Sequence, residues 1–403
     1  MRSLLWLALG AFAVGTEGFM IAGLLPRIAG DLDVSVAQAG YLVTVFGATY
    51  AIGSPIIAVL TGTVERKRLL LLALGAFALA NLLAAWSEGF LGLLASRALL
   101  ALTAGAFMPA ATAYAATSVE PHHRGRAISM VYTGFTMALV IGVPLGTAIG
   151  TRLGWRSTFE LVAVLAVLAG VGILIALRRQ AAAGVVGIRA RLGAARASGV
   201  PSILALTVLT LGGAFAVFTY FAPLVSTELG VGPDAVAGYL MLFGVAAFIG
   251  NLVGGNVADK IPAGRALAAI LTVLAITSAA VAVAGGLPHA AAAIILPIAI
   301  AVWGLFGWGF MPIQQSRLVA LNPAMATVLL SLNASAIYVG VALGSALGGV
   351  VVAHGPIRNL GWVSVACDLV ALTVLTLSAR RPEAADPETD SELAVEPSAN
   401  AAE

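Results

Sequence analysis

Three ionisable residues stand inside long apolar stretches of this 403-residue chain: Glu17, Arg97 and Asp368. A charge in such surroundings is expensive, and it is kept where it carries protons, ions or substrate. Glu17 lies about 13 residues into its stretch, roughly 20 Å along a helix. Arg97 lies about 7 residues, roughly 10 Å, in from the opposite end of another. In an apolar layer about 30 Å thick the two depths coincide. A neighbouring cation holds a carboxylate ionised while desolvation pushes it toward neutral. The pair is therefore suited to taking up and releasing a proton as its surroundings change. A permanent salt bridge that only fixes two helices is the other reading. Asp368, near the middle of the last stretch, reads equally as a structural partner or a secondary proton site.

A second group of residues could hold a solute. Tyr50, Phe218, Trp303 and Tyr338, with Phe46, Phe215, Tyr220 and Trp308, would stack against a flat ring, although core packing uses the same residues. Asn333 lies deep in its stretch and offers an amide donor and acceptor able to read the edge of a base. Gln314 and Gln315 offer the same groups nearer an end, where capping or gating is an equal reading.

The elements that must position these residues follow from composition. Hydrophobic residues make up 60% of the chain and charged residues 10%, against about 25% charged in a soluble domain. Mean hydropathy is +1.03. A spanning helix needs about 20 apolar residues, and twelve runs meet that length: 4–25, 38–61, 69–87, 90–117, 127–150 and 157–177, then 201–225, 235–257, 266–285, 290–313, 326–352 and 359–378. The first is too long for a signal peptide, with Glu17 and Pro26 where cleavage would fall, and reads as a retained helix. Far from the expected termini, the loops hold only Arg27, Arg152, Arg156 and Arg358. The other loops and ends hold nearly all remaining lysines and arginines, which predicts both termini in the cytoplasm.

The two sets of six resemble each other. Ile141-Gly-Val-Pro-Leu-Gly-Thr-Ala-Ile-Gly150 returns as Val339-Gly-Val-Ala-Leu-Gly-Ser-Ala-Leu-Gly348. Ala39-Gly-Tyr-Leu42 returns as Ala237-Gly-Tyr-Leu240, and Phe46-Gly47 as Phe243-Gly244. A duplicated unit follows. The expected organisation is a bundle over 1–177, a cytoplasmic linker over 178–200, a second bundle over 201–379 and a disordered tail over 380–403. Duplicated halves provide a site at their interface and two ways of rocking around it.

Several classes are excluded by what is missing. Lys67 and Lys260 are the lysines, and neither belongs to a phosphate-cradling loop. His122, His123, His289 and His354 fall in expected loops, with no zinc-binding spacing and no cysteine cluster. Cys367 is alone, so no internal disulfide forms. The net charge of +3 reflects topological arginines and not a nucleic-acid surface. No cofactor, metal or enzymatic activity is expected.

Motifs give the pattern a family resemblance. Gly255-Asn-Val-Ala-Asp259-Lys260 with Gly264-Arg265 resembles the loop signature of the major facilitator superfamily, where Asp259, Lys260 and Arg265 would latch one half to the other. The equivalent first-half loop departs from it, carrying Gly62 in the acidic position and Glu65-Arg66-Lys67-Arg68 beyond. Arg97 in Leu94-Ala-Ser-Arg97 resembles the buried arginine of proton-coupled members. Gly142-Val-Pro144-Leu-Gly146 resembles the fifth-helix sequence of exporters that exchange substrate for protons. Its small residues let helices approach, and Pro144 can bend the helix. Gly15-Thr-Glu17, Gly23-Leu-Leu-Pro26, Gly154-Trp-Arg156 and Tyr220-Phe-Ala-Pro223 extend the likeness to the bacterial drug/proton antiporter branch. Trp303-Gly-Leu-Phe-Gly-Trp308 and Ser331-Leu-Asn333-Ala-Ser335 are most similar to its purine base and nucleoside exporters. Several relatives carry the first-helix acid one residue later, where this chain has Gly18.

The resemblance implies an all-α membrane protein of twelve transmembrane helices in two pseudo-symmetric six-helix bundles. It implies proton-coupled efflux of a small organic solute by a monomer in the bacterial cytoplasmic membrane. A purine-like solute comes first, and chloramphenicol-like drugs or sugars second. A nontransporting membrane sensor is a further alternative that buried Glu17 and Arg97 argue against.

Overall fold

The described residues, 2–182 and 187–379, form twelve membrane-length helices in this computed structural model, with no strand among them. The first six are α1 (Leu5–Asp31), α2 (Val36–Leu60), α3 (Arg66–Ala85), α4 (Phe90–Thr117), α5 (Arg124–Leu153) and α6 (Trp155–Ala176). The second six are α7 (Val200–Phe218), α8 (Pro233–Lys260), α9 (Ala263–Ala284), α10 (His289–Leu321), α11 (Ala326–His354) and α12 (Ile357–Ser378). The expected tail, 380–403, and part of the linker, 183–186, lie outside the described residues. Large apolar side chains such as Leu60, Leu91 and Ile175 are exposed on the outer surface. That is the pattern of helices solvated by hydrocarbon, whose backbone bonds are all made internally.

Two helices depart from the expected runs for a structural reason. The run 201–225 is broken, because α7 stops at Phe218 and a short helix, Phe221–Leu229, resumes after Tyr220. Tyr220 is fully buried there and donates from its hydroxyl to Ser345 O at 3.2 Å. In α5 the residues Ala138–Gly142 form a π-turn, closed by Val143 N–H on Ala138 O. Pro144 has no N–H to offer, and the wider turn just before it accommodates the missing bond.

Duplication is visible in the packing. In the first half α1 packs on α5 and α6, α2 on α4, and α3 on α4 and α6. In the second half α7 packs on α11 and α12, α8 on α10, and α9 on α10 and α12. The halves meet along two seams, α2 with α11 and α8 with α5. A repeated dipeptide lies on both. A Cβ on Gly47 would stand 2.9 Å from Ala342 N, and one on Gly244 would stand 2.2 Å from Leu139 O. Backbone thus crosses backbone where only glycine fits, and the phenylalanine before each glycine, Phe46 or Phe243, faces the space between the halves.

The two ends of the molecule differ. At the end away from the termini, Ser345 Oγ donates to Gly40 O at 3.0 Å and Arg152 pairs with Asp234 at 3.8 Å. At the end carrying the termini, no hydrogen bond or ion pair links the two sets of six helices among the described residues. The halves are therefore closed at the far end and parted at the terminal end.

Candidate substrate cavity and proton site

A cavity of about 360 Å³ lies between the halves. Aromatic rings from both halves form its deep wall. Phe19 of α1 reaches across to Phe215, Phe218 and Trp308, with ring centroids 6.4, 6.1 and 6.0 Å away. Phe243 of α8 packs on Trp303 of α10 at 4.8 Å. Polar side chains collect toward the terminal end, where Ser129, Asn251 and Gln315 line the wall. Access therefore runs from the terminal end.

Of the expected solute contacts, Phe218, Trp303 and Tyr338 line this cavity. Tyr50 stands behind it, buried and stacked on Tyr338 at 3.7 Å with 25° between the rings. Asn333 is a correction, because it is buried away from the wall in a polar clasp. Thr207 Oγ1 donates to Asn333 Oδ1 at 2.8 Å, and Gln314 Nε2 donates to Thr207 Oγ1 at 3.1 Å and to Ile203 O at 2.8 Å. The clasp joins α7, α10 and α11. Adjacent residues on a helix diverge by about 100°, so Gln314 is in the clasp while Gln315 lines the cavity. Phe19, Phe135 and Thr210 also line it and were not singled out by sequence. Only Phe243 had a signal, as the repeat partner of Phe46.

Glu17 and Arg97 meet. Both are fully buried, and Arg97 Nη1 donates to Glu17 Oε1 in an ion pair and to Glu17 O at 3.4 Å. Arg97 Nε donates to Leu42 O at 3.1 Å, so one guanidinium ties α4 to α1 and α2. Its Cζ stands 4.4 Å from the centroid of the Phe46 ring. Phe46 itself lines the cavity, whereas Glu17 does not. The ion pair is thus one ring behind the wall. Glu17 Oε2 and Arg97 Nη2 have no hydrogen-bond partner, which leaves capacity for a proton or for a new contact. Gly18 lines the cavity instead, and a Cβ there meets open space. An acid at that position would face solute; at position 17 it faces Arg97.

Asp368, expected as a structural partner or a secondary proton site, reaches the cavity wall together with Ser364 of α12. Asp368 is 2% exposed, and its Oδ2 has no partner. One turn earlier Ser364 Oγ accepts from Ser278 Oγ at 2.9 Å, which joins α12 to α9.

The expected gating residues divide into two kinds. Gly142 and Gly146 pack within the first half: a Cβ on Gly142 would stand 2.1 Å from Thr16 Oγ1, and one on Gly146 3.0 Å from Thr158 Cγ2. With buried Pro144 they hold α5 against α1 and α6. Asp259, Lys260 and Arg265 are exposed at the terminal end and make no ion pair among the described residues. The first-half loop is tied to the linker instead. Glu65 accepts from Gln180 N at 3.2 Å, and Lys67 Nζ donates to Leu174 O at 2.9 Å and Leu177 O at 2.7 Å, capping α6. Elsewhere, exposed Glu120, His122 and His123 bring ligand atoms within 4.8 Å of one another, a grouping that sequence spacing did not single out.

A duplicated twelve-helix bundle with a central cavity between its halves is the architecture of a membrane transporter. The chain belongs to the Major Facilitator Superfamily, whose family model matches residues 7–329. It is 34% identical to a chloramphenicol resistance protein of Streptomyces lividans, over 91% of this chain and 94% of that one. An inner membrane transport protein of Escherichia coli is 32% identical over 94% of this chain and 96% of its own. Among solved structures, a D-xylose-proton symporter superposes with a TM-score of 0.75 at 17% identity, covering 92% of this chain and 96% of that one.

Proposed function

We propose that this chain is a proton-driven exporter of a small organic solute with a flat aromatic ring, working as a monomer in the bacterial cytoplasmic membrane with both termini in the cytoplasm. The halves, 1–177 and 201–379, rock about the central cavity while the linker, 178–200, spans them. The observation that carries this reading is the buried Glu17–Arg97 pair, whose guanidinium stands against the cavity-lining ring of Phe46. Solute against Phe46 presses on the ring that borders the guanidinium. A displaced Arg97 leaves Glu17 to take a proton, and the proton leaves when the pair reforms on the other side.

Ring-lined walls with amides at one end, Asn251 and Gln315, favour a purine-like solute, stacked by its face and read at its edge. A chloramphenicol-like drug is the second reading. It is supported by the apolar wall and by the resistance protein among the relatives. A sugar would leave many hydroxyls against rings, which disfavours it.

The test is a panel of purines, phenicols and sugars offered to inverted vesicles with an imposed pH gradient, together with proton uptake on solute addition. Purines should dissipate the gradient, and Glu17→Gln and Arg97→Ala should abolish solute-linked proton movement. Coupling unchanged in both variants would sink the role given to the pair.

A further inference from the structure

The cavity wall carries one acidic side chain, Asp368, and no lysine, arginine or histidine. Its carboxylate is almost fully buried, with one oxygen unpartnered. Asp368 makes no ion pair among the described residues, and Arg97, the cation buried behind Phe46, is engaged with Glu17. A charged carboxylate in such a site is stabilised only by a cation brought to it, because desolvation is otherwise uncompensated. The surrounding rings of Phe215, Phe218, Trp303, Trp308 and Tyr338 present π-faces that attract cations and repel anions. Charge and wall therefore select for the same ligand.

From this juxtaposition we infer that Asp368 is the charge-recognition residue of the cavity and that the preferred solute is a flat aromatic carrying one positive charge, such as a protonated or quaternised heterocycle. This rests on the reading of the cavity as the solute site. It narrows the class from flat aromatics in general to aromatic cations, which ranks a positively charged purine-like ring ahead of a neutral one, and it gives α12 a part in binding. The serine one turn before it fixes this part of the helix: Ser364 Oγ accepts from Ser278 Oγ of α9, which anchors α12 on α9.

The experiment uses the full-length protein in lipid nanodiscs. Fluorescence of the cavity tryptophans, Trp303 and Trp308, is followed as 10-methylacridinium, a planar permanent cation, is added. The same titration is made with 9-methylacridine, its uncharged counterpart, at a pH where that ring is neutral. The parent should bind the cation more tightly, and Asp368→Asn should weaken the cation roughly tenfold or more, as loss of a desolvated charge partner does, while changing the neutral ring by less than about twofold. Asp368→Glu should restore most of the difference. The inference is overturned if the asparagine variant weakens both rings alike, if it weakens neither, or if the parent does not distinguish them. Should Asp368→Asn fail to give monodisperse protein, the parent's cation-to-neutral ratio decides the matter, and a ratio near one overturns the inference. Binding without a gradient does not depend on transport direction. A cation that binds in this manner but is not moved by a pH gradient would remove the exporter reading and leave the role of Asp368 standing.

Discussion

Arg97 holds three helices through one guanidinium, and its fork geometry explains why the position takes arginine. Nε serves the Leu42 carbonyl while Nη1 serves Glu17, two directions that a lysine ammonium on a flexible stem does not fix together. Removing one partner of a buried pair leaves the other charge uncompensated. Arg97→Ala should therefore lower stability by about 3–5 kcal/mol, seen as a fall in thermal unfolding temperature in detergent. Arg97→Ala combined with Glu17→Gln should recover part of that loss, because no charge is then stranded. Sequence made this pair legible through depth alone: both residues stand at one level of the layer. It could not give rotation. A helix apolar on every side has no polar face to set its phase, so Asn333 was expected at the solute and lies in the Thr207 clasp, while Asp368, left open between a structural partner and a secondary proton site, lies on the cavity wall.

Among the elements, α5 carries a π-turn at the place where it packs on α8. The π-turn at Ala138–Gly142 places the Leu139 carbonyl against Gly244, on the seam whose counterpart is Gly47 against α11. Gly244→Val would drive a side chain into that carbonyl. Overpacking of this kind costs about 1–3 kcal/mol, enough to shift a two-state equilibrium by about fivefold or more. The expected result is a far end that opens: in a Cys367→Ser background, a cysteine at Ser345 should react several-fold faster with a membrane-impermeant reagent from the far side. An unchanged rate would show that the seam does not control closure there. The seam was legible in sequence as the echo Phe46-Gly47 and Phe243-Gly244. The π-turn was not, since Pro144 announces a missing bond without saying how the backbone will absorb it.

At the scale of the whole molecule, the arrangement is one of two that the duplication permits. The far end is joined by Arg152–Asp234 and Ser345–Gly40, and the terminal end presents Asp259, Lys260 and Arg265 with no ion pair among the described residues. The opposite arrangement should exchange these states, with Asp259 paired across the terminal end. An exposed ion pair is worth about 1 kcal/mol at most. Asp259→Asn should therefore shift the balance by up to roughly fivefold toward the state seen here. A cysteine at Ser129, on the terminal part of the cavity wall, reports this balance. On solute addition its labelling should fall in the parent and fall less in Asp259→Asn. Equal protection in both would remove Asp259 from closure.

Phe46 touches the ion pair on one side and the cavity on the other, and this sets an order of events. A ring shifts locally, whereas bundles turn against one another as whole bodies in microseconds to milliseconds. In the mechanism proposed above, an arriving solute would reach Glu17 through this ring before either half moves, and the protonation state would be set while the cavity is still open to the side from which the solute came.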